Sequence, residues 1–457
     1  MKRMVLTCCA IWLSTVVFAA PGDSAVLSRI SAHILSQGKC YEDLRTLCKQ
    51  IGHRISASPE AEKAVAWGEA ALRAAGCDRV WLQPVQVPKW VRGEEHLALR
   101  FSPDQPYVDV PVLSLGNSEG TNDKIKKAEI VMVESFDAYK KLNPTELEGK
   151  FIFFNYHFRH DFPQTFNAYG DAVKYRWQTP EVIGKTKIAG VIIRSVSSGA
   201  DDFPHTGGTM YPDKENVFPL VAIGNKTADR LEAACRKGTT AAMLRSNCGL
   251  KGTAMSYNVI GEITGSVHPQ DYMVVGGHLD SWDVGEGAHD DGAGCVQAIE
   301  VLRTFKSLAI KPKHSIRAVL FMNEENGAKG GRAYADSARV RKEHHIVALE
   351  SDAGGFAPRG FELSWNAKQK QAFMAFAPLL QRYGIYDFEK EGGGVDVGFL
   401  KNNGSIIGEL IPDSQRYFDV HHTDNDVFET VNHRELKMGA AAMAQFIYLA
   451  DQYEILD

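Results

Sequence analysis

The segment Tyr272-Met273-Val274-Val275-Gly276-Gly277-His278-Leu279-Asp280 runs from an apolar stretch into a histidine and an aspartate two positions apart. It continues through Asp283-Val284-Gly285-Glu286-Gly287-Ala288-His289-Asp290-Asp291-Gly292-Ala293-Gly294 into helical periodicity over 295–308. That order reads as a strand end, a loop and a helix start. Residues two apart on a strand share a face, so Asp280 can hold one nitrogen of the His278 imidazole while the other binds a metal. The glycines allow a tight loop that returns Asp290 toward His278. A metal site is expected here, with more ligands from further along the chain.

Downstream the pattern alternates. Strands are expected at 257–263, 272–277, 315–322, 346–350 and 405–407, and helices at 295–308, 328–340, 369–383 and 434–452. This predicts an α/β sandwich with a largely parallel sheet, whose ligands gather at the carboxyl ends of the strands. Strand 315–322 runs into Asn323-Glu324-Glu325-Asn326-Gly327, and strand 346–350 into Ser351-Asp352-Ala353-Gly354-Gly355. A later loop carries Tyr417-Phe418-Asp419-Val420-His421-His422-Thr423. With His278 and Asp290 these supply two histidines and three or more carboxylates, a set suited to two cations such as zinc. A lone His-x-Asp arises by chance and Glu-Glu is usually a solvated pair. Their placement at successive strand ends is what gives them weight.

Upstream, residues 24–50 have helical spacing and read as a pro-segment or the first helices of the main domain. Ser58-Pro59 is a helix start, and Gly76 closes that helix. Strands are expected at 79–87 and 96–101. From 107 to 251, short β-like runs separated by Gly, Pro and Asn turns surround one helix at 227–236. An aromatic segment at 156–180 lacks periodicity and reads as a long loop. Residues 107–251 are therefore expected to be an inserted domain that covers the site, between the first part of the main domain (20–106) and its remainder (252–457).

A chain of 457 residues exceeds one ordinary core. With 44% hydrophobic and 23% charged residues it has a globular balance, and a net charge of −5 argues against a nucleic-acid partner. Lys2 and Arg3 precede an apolar run over 4–18 and then Ala19-Ala20-Pro21, the layout of a signal peptide cut after Ala19. The chain is thus expected to be secreted or periplasmic, with no membrane span after signal removal; an uncleaved anchor is the alternative. Six cysteines would remain, of which Cys235 with Cys248 is the first pair to test as a disulfide. None forms a Cys-x-x-Cys zinc pattern, so the metal ligands must be histidines and carboxylates.

The order His-x-Asp, Gly-x-Gly-x-x-Asp-Asp-Gly, Asn-Glu-Glu-x-Gly, Glu-Ser-Asp-x-Gly and His-Thr-x-x-Asp, over roughly 257–430, resembles the zinc aminopeptidases and carboxypeptidases of peptidase family M28. The stretch from Gly277 to Gly285 looks most like the carboxypeptidase Q branch, and the insert resembles a protease-associated domain. The resemblance implies a three-layer α/β/α zinc-exopeptidase domain holding two Zn2+ ions. Asp290 would bridge them, with His278 and Asp352 completing one ion and Glu325 and His422 the other. Glu324 would be the general base, acting with a zinc-bridged hydroxide, and Asp280 the brace on His278. A cis Asp290–Asp291 peptide is also implied, and Asp426 fits the last motif position with its role left open. The implied activity is hydrolysis of dipeptides or short peptides with a free terminus. The alternatives are an aminopeptidase of the same family or a noncatalytic binding protein on the same fold. Dimerisation is left open.

His289 and His421 adjoin ligand positions and are expected to be neighbours rather than ligands. Asp291 and Glu286 read as loop carboxylates, with an outer supporting role open to Asp291, and Asp283 with Trp282 as pocket wall. His157, His160 and His205 are expected on the surface.

Overall fold

The computed structural model describes residues 22–213 and 215–456; the expected signal peptide lies outside them. Its larger sheet has seven strands: β1 (Arg79–Val91), β2 (Gly249–Ile263), β3 (His268–His278), β4 (His314–Phe321), β5 (His344–Glu350), β6 (Pro358–Leu363) and β7 (Ile406–Pro412). Their spatial order is β1-β2-β4-β3-β5-β7-β6. The pairs β3 with β4, β3 with β5 and β5 with β7 are parallel, while β1 with β2, β2 with β4 and β6 with β7 are antiparallel. The sheet is thus mixed rather than largely parallel. Periodicity locates strands but carries no direction, and the antiparallel members are the outer ones.

Alternation along the strands makes the layers. Met273 and Val275 face one side, with Leu27, Ile30 and Ile34 of helix Asp23–Gln37, helix Ala293–Ser307 and helix His433–Tyr453. Val274 and Val319 face the other, against Tyr334, Ala335 and Ala338 of helix Lys329–Arg341. The first helix therefore belongs to the main core. Helix Pro59–Ala74 begins as expected, Ser58 Oγ accepting the Ala61 N–H at 3.0 Å.

On that second face, His345 is buried with Nε2 2.9 Å from the Tyr334 hydroxyl. Burial, with the nearby Arg317 charge, pushes its pKa down to about 4. The unfolded chain, titrating near about 6.5, binds the proton first as pH falls. Stability is therefore fully present above about pH 6.5 and is lost toward pH 4, by on the order of 3 kcal/mol from this group. Urea midpoints at pH 7 and pH 4.5 check this: His345→Gln should show a smaller acid loss than wild type, and equal losses would refute the assignment.

A second sheet of eight strands is built from residues between Val91 and Gly249. It includes Glu95–Arg100, which pairs with Ala241–Ser246. The second unit thus starts ahead of the boundary expected at 107, because the pattern of a short strand does not say which sheet it joins. Segment 156–180 contains helices Thr165–Ala172, Lys174–Trp177 and the start of Thr179–Ile183 instead of a featureless loop. Each is too short to show a period, and ring packing of Phe166 and Tyr169 on Tyr417 and Phe418 helps hold the segment. The helix expected over 369–383 is divided into Ala367–Met374 and Ala377–Gln381, where Pro378 cannot donate into a continuous ladder. All six described cysteines are free thiols. Cys235 packs with the second sheet and contacts Thr240, whereas Cys248 lies with Trp90 and Trp282, so the expected pair belongs to two different clusters.

Candidate metal centre

Three parallel strands, β3, β4 and β5, end side by side and deliver His278, Asn323 to Glu325 and Asp352 to one edge. The loop after β3 returns Asp290, and the segment after helix Tyr417–Val420 brings His422. Asp290 Oδ1 lies 3.0 Å from His278 Nε2, and Asp290 Oδ2 lies 3.0 Å from His422 Nε2. Asp352 Oδ1 stands 3.3 Å from His278 Nε2, and Glu325 Oε2 stands 3.2 Å from His422 Nε2. The five expected donors thus gather as two trios sharing Asp290. Glu324 lines the same cleft, of about 270 Å3, beside them. The Asp290–Asp291 peptide is cis.

The tautomers fit cations. His278 Nδ1 lies 2.9 Å from the Asp280 carbonyl and can donate to it, which directs Nε2 at Asp290, whereas His422 Nδ1 lies between the Thr206 carbonyl at 3.3 Å and the Arg176 guanidinium at 3.2 Å with its Nε2 likewise at Asp290. Each Nε2 meets a carboxylate oxygen at 3.0 Å, a spacing bridged by a proton on the ring or by a cation in its place. Asp290 Oδ2 and Asp352 Oδ1 are buried and meet histidine Nε2 atoms rather than a backbone or amide donor. Burial pushes the Glu324 and Glu325 carboxyls well above the usual range, and their acidic neighbours add to it. Burial opposes the charge on His278, yet Asp352, Asp290 and Asp291 hold its pKa well above the ordinary value. Such excess negative character in a buried pocket is what bound divalent ions relieve.

Backbone contacts fix this arrangement, partly in ways the sequence did not reveal. The brace on His278 is the Asp280 carbonyl; its carboxylate is 3.9 Å away and instead accepts the N–H groups of Asn323 at 2.6 Å and Glu324 at 3.1 Å. Asp291 accepts from His278 N and Gly294 N. Asp426 accepts from His289 N at 2.7 Å and Asp290 N at 3.1 Å, which supplies the role left open for it. Burial pushes its carboxyl up to about 7, while those two amides pull it back. His289 accepts from Gly355 N and stacks on Phe356, away from the donors. His421 stacks on His422 with ring centroids 3.5 Å apart, and its Nε2 is 3.6 Å from Asp290 Oδ2. Glu286 pairs with Lys49, and Asp283 with Arg92.

The second unit reaches this centre. His157 and His160 are exposed as expected, but His205 is fully buried with Nδ1 2.6 Å from the His421 carbonyl. Its neighbours in sequence gave no sign of that, since the contact spans 216 positions. Arg176 is buried beside His422, and Tyr169 lines the cleft. Neither Arg176 nor Tyr169 stood out in the sequence, because no local period marks residues that act across two units.

Arg54 follows Gly52-His53, ahead of helix Pro59–Ala74. It is fully buried and donates to the carbonyls of Leu279 at 2.7 Å, Glu286 at 2.7 Å and Gly287 at 2.9 Å, clasping both sides of the metal loop. Arg54→Leu removes the donor from the Leu279 and Glu286 carbonyls at about 1–3 kcal/mol each, while the Gly287 carbonyl keeps the Gly292 N–H. A stability loss of roughly 3 kcal/mol or more is expected in chemical unfolding; an unchanged midpoint would show that the loop does not depend on this clasp.

Such a donor set at the strand ends of an α/β/α sandwich defines a metallopeptidase. The profile described as Peptidase family M28 matches residues 258–447. The chain is 32% identical to carboxypeptidase Q of Bos taurus over 425 residues, 92% of this chain and 87% of that one. It is likewise 32% identical to carboxypeptidase Q of Homo sapiens over 442 residues, 96% of this chain and 91% of that one. The crystal structure of a peptidase M28 precursor from Shewanella amazonensis superposes with a TM-score of 0.87 at 29% identity, covering 93% of this chain and 96% of that one. A zinc aminopeptidase from Bacillus subtilis shares the fold with a TM-score of 0.64 at 18% identity, over 90% of this chain and 94% of that one. The chain belongs to peptidase family M28 and is a zinc metallopeptidase.

Proposed function

We propose that the protein is an exported dizinc exopeptidase that hydrolyses dipeptides or short peptides bearing a free terminus. One observation carries this reading: the two oxygens of Asp290 each meet a different histidine at 3.0 Å. His278, Asp290 and Asp352 would hold one ion, and His422, Asp290 and Glu325 the other. When bound, the pair of ions supplies an acidified water and a Lewis acid for the peptide carbonyl. Glu324 stands free of both trios and receives the proton of the attacking water, then returns it to the leaving amine. Asp280 is a positioning residue, its carbonyl orienting His278 and its carboxylate fixing the turn that presents Glu324.

The second unit, read as a protease-associated domain, roofs the cleft through Tyr169, Arg176 and Gly208, which favours short substrates. Similarity to carboxypeptidase Q supports a carboxypeptidase or dipeptidase over an aminopeptidase. The signal-like residues before Pro21 support export; no helix among the described residues is long and apolar enough to cross a membrane. Metal analysis combined with hydrolysis of unblocked, N-blocked and C-blocked dipeptides tests the reading. About two zinc ions per chain with turnover are expected, and the blocked peptides identify which terminus is read. Full occupancy without hydrolysis of any of these peptides would favour the noncatalytic binding protein.

A further inference from the structure

The cleft over the metal donors does not end there. It meets a neighbouring cavity of about 430 Å3, and the two share Phe166 and Glu409 in their walls. Glu409 is carried by β7, directly opposite Glu350 on β5 and Glu362 on β6. Three glutamates therefore stand abreast across three strands, where like charges repel.

The outer two are satisfied by backbone N–H groups of the segment from Gly392 to Val397. Glu350 accepts from Asp396 N at 3.0 Å and Val397 N at 3.0 Å, and Glu362 accepts from Gly393 N. A methyl group on Gly392 would collide with Glu362, and one on Gly394 with Glu350, so the loop is moulded onto those two carboxylates. The Glu409 carboxylate has no hydrogen bond and no ion pair among the described residues. Lys390 lines the same cavity and also forms no ion pair among the described residues. The Lys390 charge reaches Glu409 across the cavity, but among the described residues no cation or donor contacts this part-buried carboxylate, which two others flank.

We infer that Glu409 is a specificity-determining residue whose carboxylate, at the junction of the metal cleft and the adjoining cavity, receives an ammonium group of the peptide substrate. The inference rests on the peptidase reading above. The ammonium can be the α-amino group or a lysine side chain, since both present the same charge and donors. Glu409 touches the first cavity and the second, so it can serve a group close to the reacting carbonyl or one at the end of a side chain.

The test compares metal-loaded wild type and Glu409→Gln on three substrates sharing one second residue: a lysyl dipeptide, its norleucyl counterpart and the hexanoyl compound that lacks the α-amine. If Glu409 reads the side chain, the wild-type preference for lysyl over norleucyl in kcat/KM falls by roughly ten- to hundredfold in the variant while norleucyl turnover is unchanged. If it reads the α-amine, lysyl and norleucyl substrates fall together by that factor and the hexanoyl compound does not. Equal kcat/KM in wild type and variant for all three, or an equal fall in all three, overturns the inference. Wild type that cleaves none of the three defeats the peptidase reading instead. Calorimetric binding of lysine, norleucine and hexanoate to both proteins then makes the same comparison without turnover, and identical affinities would refute the role of Glu409. Removing a repelled charge should leave the melting temperature equal or higher; Glu409→Ala replaces the glutamine variant if that one folds poorly.

Discussion

Glu324→Gln is expected to lower kcat by roughly 10²- to 10⁴-fold while the proposed pair of metal ions stays bound. Glutamine keeps the size and the backbone contacts of the turn, including the Glu324 N–H donated to Asp280. It cannot take a proton from water or deliver one to the leaving amine. Single-turnover and steady-state rates with metal analysis of the same sample separate this loss from a binding defect. A variant that turns over within tenfold of wild type would remove Glu324 from the chemistry.

Asp290→Asn should be more damaging, because one residue serves both trios. The amide offers only one good acceptor where two histidines face two carboxylate oxygens. Both ions should therefore be weakened together, and the dialysed variant should hold far less zinc than Asp352→Asn, which touches one trio only. Loss of several kcal/mol of metal-derived stabilisation corresponds to a rate at least about a thousandfold lower. Stepwise metal analysis decides the point: retention of one ion at full strength would show that Asp290 does not link the two.

Much of this centre could be read before any coordinates, for a physical reason. His278, Glu324, Glu325 and Asp352 each follow an apolar run and precede glycine or a turn, and parallel strands end at one edge, so local signals converge in space. Asp280 shows the limit of such reading. Its spacing from His278 pointed to a side-chain contact, yet the carbonyl makes the hydrogen bond and the carboxylate serves the next strand's turn. His205, Arg176 and Glu409 were hidden for another reason. Their importance arises from pairings across distant parts of the chain, such as the register that sets Glu409 opposite both Glu350 and Glu362. Sheet direction escaped the sequence in the same way, since β1 and β2 pair only after some 160 residues have intervened, between Val91 and Gly249.

That pairing of β1 with β2 has a consequence for how the chain can be altered. The polypeptide leaves the larger sheet at Val91 and re-enters it at Gly249, two residues that are partners in the ladder. Exit and return share one doorway, so the roofing unit is a cassette: it can be exchanged for a relative's without cutting any connection between the strands that bear the donors. A graft at this joint would change what enters the cleft and leave the metal chemistry to the host sheet. The newcomer would have to rebuild the Thr206 carbonyl contact to His422, the His205 and Arg176 contacts beside it, the ring packing of Phe166 and Tyr169 on Tyr417 and Phe418, and the Arg92–Asp283 pair, among others.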